Sequence, residues 1–156
     1  MIADSDLILP EDGRQSDTAR LVARGTRRLM RDLGFTSVTE VPLASGRRAD
    51  LVALADDGTL IIIEIKSSIE DFRTDRKWPE YRTHCDRLYF AIPETVPAEI
   101  RPEEAGLILA DGFGAAILRE APEHRLAAAT RKAMLVRIAR IASERLHRLA
   151  DPDELR

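Results

Sequence analysis

Long apolar runs, cysteine, histidine and lysine are all scarce in this chain of 156 residues. No apolar stretch approaches the ~20 residues a membrane-crossing helix needs. The first residues, Met1-Ile2-Ala3-Asp4-Ser5-Asp6, lack the basic start and apolar core of a secretory signal. No membrane partner is therefore expected. The single cysteine, Cys85, excludes an internal disulfide and suits a reducing compartment, so the expected location is cytoplasmic. Cys85, His84, His124 and His147 show no standard ligand spacing, which argues against a four-ligand zinc site. Only Lys66, Lys77 and Lys132 are lysines, against 21 arginines. In a chain so biased, a lysine marks a place where a compact ammonium is wanted in preference to a planar fork.

What is present suits one domain with a substantial core: 44% of residues are hydrophobic and 33% charged. The net charge of −3 looks wrong for a nucleic-acid protein, but its distribution matters more. Residues 1–17 carry five acids against Arg14, and residues 151–156 three acids against Arg156, leaving 22 basic and 19 acidic residues, a net +3, over residues 18–150. Residues 18–48 hold seven arginines against Asp32 and Glu40, and residues 124–150 hold seven basic residues against Glu144. These blocks are either a phosphate-facing surface or two solvated helix faces. The expected organisation is a flexible acidic extension over residues 1–16, one domain over 17–150 and an acidic tail over 151–156.

Apolar spacing predicts a helix over residues 17–33, capped by Asp17 and stopped by Gly34, with Leu21, Val22, Gly25, Leu29 and Leu33 on one face. A strand over residues 36–43 follows, then two strands around Asp56-Asp57-Gly58-Thr59. Ser68-Ile69-Glu70-Asp71 reads as a capping box opening a helix interrupted near Pro79. Leu88-Tyr89-Phe90-Ala91-Ile92 reads as a buried strand, and Pro93, Pro97 and Pro102 punctuate an irregular link. A further hairpin turns at Asp111-Gly112-Phe113-Gly114. A long helix closes the chain over residues 123–149, with Leu126, Thr130, Met134, Ile138, Ile141 and Leu149 inward. The order is α-β-β-β-α-β, then β-β-α.

The chemistry gathers on the first hairpin. A three-residue loop with Gly58 in the left-handed region is a favoured connection. It places Ala55 opposite Thr59 and hence Asp50 opposite Glu64. Strand alternation puts Glu64 and Lys66 on one face, with Ile61, Ile63 and Ile65 on the other. Like charges directly opposite are destabilising, so two carboxylates in apolar strands call for a reason. A divalent cation supplies one, because Mg²⁺ takes one or two protein carboxylates and fills its shell with water and phosphate oxygens. Lys66 could then activate water or stabilise charge on the phosphate. A buried Asp–Lys–Glu salt network is the alternative.

Asp50 followed by Glu64-Ile65-Lys66 resembles the D…(D/E)-x-K signature of the PD-(D/E)XK nuclease superfamily, whose α-β-β-β-α-β core residues 17–92 reproduce in order. The surrounding strings are more specific. Gly46-Arg47-Arg48-Ala49-Asp50, Glu64-Ile65-Lys66-Ser67-Ser68, Asp71-Phe72-Arg73, Lys77-Trp78-Pro79-Glu80-Tyr81 and Cys85-Asp86 together resemble the MmcB-like DNA-repair family. The resemblance implies an α/β, restriction-endonuclease-like fold with an extra hairpin and a long C-terminal helix. It also implies a role in DNA repair as a metal-dependent endonuclease, with Asp50, Glu64 and Lys66 catalytic. Mg²⁺, with Mn²⁺ as a substitute, is the implied cofactor, held by Asp50 and Glu64. Many superfamily members add a first-helix glutamate; residues 18–33 contain none. Glu40 is the candidate replacement, or else the salt-bridge partner of Arg47 or Arg48.

DNA is the expected partner, contacted by Arg47, Arg48, Lys77, Trp78 and Tyr81. Lys77 and Tyr81 share a face if one helix spans both. Trp78 either stacks on a base or anchors packing. Ser67 is a cap or a phosphate donor. A homodimer through the basic C-terminal helix and contacts with other repair proteins stay open. So do two non-enzymatic readings, a DNA-binding module on the same fold and a protein-interaction adaptor.

Overall fold

The computed structural model describes residues 16–97 and 104–152. The expected acidic extension lies outside these residues apart from Ser16, as does the acidic tail from residue 153 onward and much of the proline-punctuated link. The elements are α1 (Asp17–Asp32), β1 (Thr36–Pro42), β2 (Arg48–Leu54), β3 (Leu60–Ile65), α2 (Ile69–Thr74), a 3₁₀ helix (Trp78–His84), β4 (Arg87–Ile92), β5 (Gly106–Ala110), β6 (Ala115–Arg119) and α3 (Ala128–Ala150). This is the expected order, and the class is α/β.

The six strands form one sheet in sequence order, β1-β2-β3-β4-β5-β6. β3–β4 and β4–β5 are parallel and the other pairs antiparallel. Parallel strands are covered on both faces, which explains why β3 reads as a continuous isoleucine run. Leu60 and Ile62 join Val41, Leu43, Phe90, Met134 and Ile138 on the face covered by α3 and the 3₁₀ helix. Ile61 and Ile63 join Val22, Met30, Leu51, Tyr89 and Ile108 on the α1 face. The isoleucines expected to point into core do so, but the opposite face is core as well.

Several boundaries differ from the sequence expectation. Ser16, not Asp17, caps α1, its side chain accepting from the Ala19 amide at 3.1 Å. The buried face of α1 is Val22, Gly25, Thr26 and Met30, whereas Leu21 and Leu33 are about half exposed. Val22 and Gly25 are on the expected face, and at Gly25 a Cβ would lie 2.0 Å from the Asp111 carbonyl oxygen and 2.4 Å from that of Gly114. The close approach of α1 to the β5–β6 turn therefore sets the helix's orientation. The capping box at Ser68 and Asp71 is present. The helix it opens ends at Thr74 and a 3₁₀ helix resumes at Trp78, so the interruption falls near Pro79 as expected, at residues 75–77. α3 begins at Ala128, later than expected, after an irregular stretch tied down by the Asp86 carboxylate.

Candidate active site

The turn behaves as its residues require. Gly58 has φ 89°, its amide donates to the Ala55 carbonyl at 3.1 Å, and the Ala55 amide donates to the Thr59 carbonyl at 3.0 Å. The pairing runs Leu54↔Leu60 through Leu51↔Ile63. One step further, the side chains of Asp50 and Glu64 take over. The Asp50 amide donates to Glu64 Oε1 at 3.1 Å, and the Ile65 amide donates to Asp50 Oδ2 at 2.8 Å. Each carboxylate thus satisfies a backbone donor of the opposite strand. Glu64 is 4% exposed, and Asp50 is partly buried beside it.

Burial pushes both carboxyls upward, Asp50 despite the Ile65 amide and Lys66, and Glu64 further because Asp50's negative charge adds to burial. Tyr81 is also raised, first by burial and then by the charges of Glu64 and Asp50. Lys66 Nζ does not reach across to the carboxylate pair; it donates to Asp75 Oδ2 at 2.5 Å, with both side chains largely buried. Burial alone would raise Asp75, but the hydrogen bonds from Lys66 and the Lys77 amide outweigh it and hold Asp75 low. Sequence reasoning missed Asp75. Its only signal was its place just before the interruption of the helix that Ser68 opens.

These groups line a pocket of about 480 Å³ at the end of the sheet. Glu40, Asp50, Glu64, Asp71 and Asp75 face Arg48 and Lys66 there, a surplus of three formal negative charges. Glu40 lies between the pairs Thr39↔Leu51 and Val41↔Ala49, opposite Asp50, with φ 52°. A left-handed glutamate is costly. Arg145 of α3 holds the kink, donating to the Thr39 carbonyl and, at 2.7 Å, to that of Glu40. The Glu40 carboxylate pairs with Arg48 Nε at 2.6 Å, one of the two salt bridges weighed from sequence. Among the described residues, no group of three or more His, Cys, Asp or Glu side chains is arranged to hold a metal ion.

The expected DNA contacts are scattered. Arg47 pairs with Glu80 at 2.8 Å. Lys77 is exposed and precedes the 3₁₀ helix, while Tyr81 is buried inside it, its hydroxyl donating to the Arg48 carbonyl at 3.3 Å. No helix spans both, so they do not share a helical face. Trp78 is partly buried, edge-on to Phe90 at 5.7 Å, with the Arg82 guanidinium 5.7 Å from its ring centroid. Ser67 does not cap α2. Its hydroxyl and amide both donate to Asp71 Oδ2, at 2.9 and 3.1 Å.

One mixed sheet flanked by helices, with paired carboxylates and a lysine where β3 ends, defines an α/β protein with a polar, acid-rich pocket at one end of its sheet. The chain belongs to the MmcB-like DNA repair protein family, whose model matches residues 8–153. No curated protein matches it in sequence. A solved protein of unknown function from Silicibacter pomeroyi is 42% identical, covering 89% of this chain and 95% of its own, with a TM-score of 0.83. A repair endonuclease from Pyrococcus abyssi is 15% identical over 58% of this chain and 42% of its own, with a TM-score of 0.37. Pyrococcus furiosus SfsA, solved with Ca²⁺, is 11% identical over 66% and 64%, also at 0.37. Likenesses that slight carry nothing about chemistry.

Proposed function

We propose that this cytosolic protein is a Mg²⁺-dependent DNA endonuclease of the PD-(D/E)XK type, with Mn²⁺ able to substitute. The observation that carries the proposal is the reciprocal Asp50–Glu64 pair in a pocket lined by five acidic side chains and two cationic ones. A phosphodiester would add negative charge beside those acids, and a bound cation would offset it. Two hard carboxylates suit a hard divalent ion that draws its remaining ligands from water and phosphate. Asp50 and Glu64 would hold it, the Glu40 carboxylate being taken up by Arg48. When bound, the ion would polarise the phosphate and lower the pKa of an attacking water. Lys66 would place positive charge against the phosphate oxygens as negative charge develops on them. To do so its ammonium must exchange Asp75 for the phosphate. Arg48, at the pocket rim, and Arg47 beside it would anchor the strand.

The test is cleavage of duplex, single-stranded, flap and junction DNAs with Mg²⁺ or Mn²⁺. Asp50→Asn, Glu64→Gln and Lys66→Ala are each expected to lower the rate by about 100-fold or more, on the scale of losing one preorganised charge-stabilising group. Wild-type-like cutting by Glu64→Gln would sink the reading.

The Lys66–Asp75 bridge favours a second reading, a DNA-binding module without chemistry, because it occupies the ammonium that catalysis needs. Wild-type protein that binds DNA but shows no metal binding by calorimetry and cuts none of the panel would support it.

A further inference from the structure

The exposed face of α1 is a row of arginines. Arg20, Arg24, Arg27 and Arg31 recur at steps of four, three and four, so they share one face, with Arg28 beside them. All five are exposed, and the helix's only acids, Asp17 and Asp32, sit at its two ends. The row has fixed landmarks at both extremities. At its start, Ser16 and Ala19 line the carboxylate pocket. Nine residues on, roughly 14 Å along the helix, Arg28 Nη1 donates to the Phe113 carbonyl at 3.1 Å.

Phe113 sits at the tip of the β5–β6 turn with its side chain almost bare, at 83% exposure. Its backbone is well held: Asp111 Oδ1 accepts from the Phe113 amide at 2.7 Å and from the Gly114 amide at 2.9 Å, and Gly25 lets α1 press against the turn. Because β3, β4 and β5 are parallel, this turn emerges at the same end of the sheet as Glu64 and Lys66, about 10 Å to the side across two strand spacings and further out along the strands, since Glu64 is level with Leu107 through Phe90.

We propose that the arginine row and Phe113 form a track for single-stranded nucleic acid leading from the carboxylate pocket. Arginines in a line meet successive phosphates. An exposed, backbone-anchored phenyl ring offers a stacking face to an unpaired base of any identity. A duplex keeps its bases stacked inside and presents none to that ring. The proposal shares with the nuclease reading only DNA as the partner; it does not depend on cleavage.

The test is binding of a fluorescein-labelled oligothymidylate, and of a duplex of equal length, in EDTA at several salt concentrations, so that cutting cannot interfere. Wild type should prefer the single strand. Phe113→Ala should weaken oligothymidylate binding about tenfold while leaving duplex binding within about twofold, and Phe113→Trp should restore it. Arg24→Ala with Arg27→Ala should flatten the slope of log affinity against log salt by about 1.4 for the single strand. These side chains are exposed, so unchanged melting temperatures will show that the variants fold. The proposal is overturned if Phe113→Ala binds oligothymidylate as wild type does, if it loses both DNAs equally, or if the double variant keeps the wild-type slope. A surface at which neither Phe113→Ala nor the double arginine variant changes binding of either DNA would serve a protein partner instead. A protein that cuts no DNA but keeps the Phe113-dependent preference would sink the nuclease reading and leave this track standing.

Discussion

Glu64 shows what one residue can carry. It is buried among isoleucines, where an ionised carboxylate is costly unless compensated, and here its neighbour is another carboxylate. A raised pKa fixes the sign of its effect on stability. Protonated Glu64 contributes stability that is complete below the unfolded carboxyl range, about 4.3. That contribution is lost as pH rises through the higher folded value. At neutral pH without metal, Glu64→Gln should therefore melt higher than wild type. A gain of about 1 kcal/mol would appear as roughly 2–4 °C, shrinking as the pH approaches 4 in a calorimetric series. Saturating Mg²⁺, at about 100 times its dissociation constant, should stabilise wild type by about 2.7 kcal/mol and Glu64→Gln much less. The Asp50–Glu64 facing was legible because a glycine turn counts register. The Lys66–Asp75 bridge was not, because it depends on how the chain leaves α2.

At the scale of elements, α1 is decided by what it touches. Its apolar residues allow more than one face, and the sequence expectation was Leu21, Val22, Gly25, Leu29 and Leu33. Val22 and Gly25 are buried as expected, Gly25 against the β5–β6 turn, while Thr26 and Met30 take the places expected of Leu21 and Leu33. Gly25→Ala would normally gain about 1 kcal/mol of helix propensity. Here the added methyl meets backbone at 2.0 Å. Net destabilisation of at least about 2 kcal/mol is expected, read as a drop of roughly 4–8 °C in thermal unfolding. The C-terminal helix carries a similar lesson. Arg131, Arg137 and Arg145 read as part of a basic face, yet Arg131 binds Asp86 and Gly58, Arg137 the Pro42 carbonyl, and Arg145 the Thr39 and Glu40 carbonyls. These arginines fasten the helix to the sheet.

For the molecule as a whole, Asp86 is the tie. It sits 2% exposed at the entry to β4 and accepts from the Leu60 amide at the start of β3, from the Leu126 amide before α3, and from both terminal nitrogens of Arg131 at 2.7 and 2.8 Å. Burial alone would raise its pKa, but Arg131 and the two amides outweigh it and hold the carboxyl at about 2. Against about 3.9 in the unfolded chain, that is stability present above pH 4 and lost as pH falls through 2, about 2–3 kcal/mol in all. Asp86→Asn should flatten the acid limb of the stability curve over that window. Arg131→Ala, which strands the carboxylate, should cost about 3–5 kcal/mol, a large share of a typical domain's 5–15 kcal/mol, measured by urea unfolding at pH 7.

The element order, the burial of β4 and the register that sets Asp50 against Glu64 were determined by sequence alone. Each rests on short-range rules: turn geometry, alternation and helix capping. The tertiary structure decided which residues complete the buried face of α1, which arginines hold the fold and which stay exposed, that Lys66 is held by Asp75, and that Phe113 stands at the same sheet end as the carboxylates. Those outcomes depend on contacts between segments far apart in the chain. A charge or an apolar side chain has no fixed meaning until the element facing it is in place.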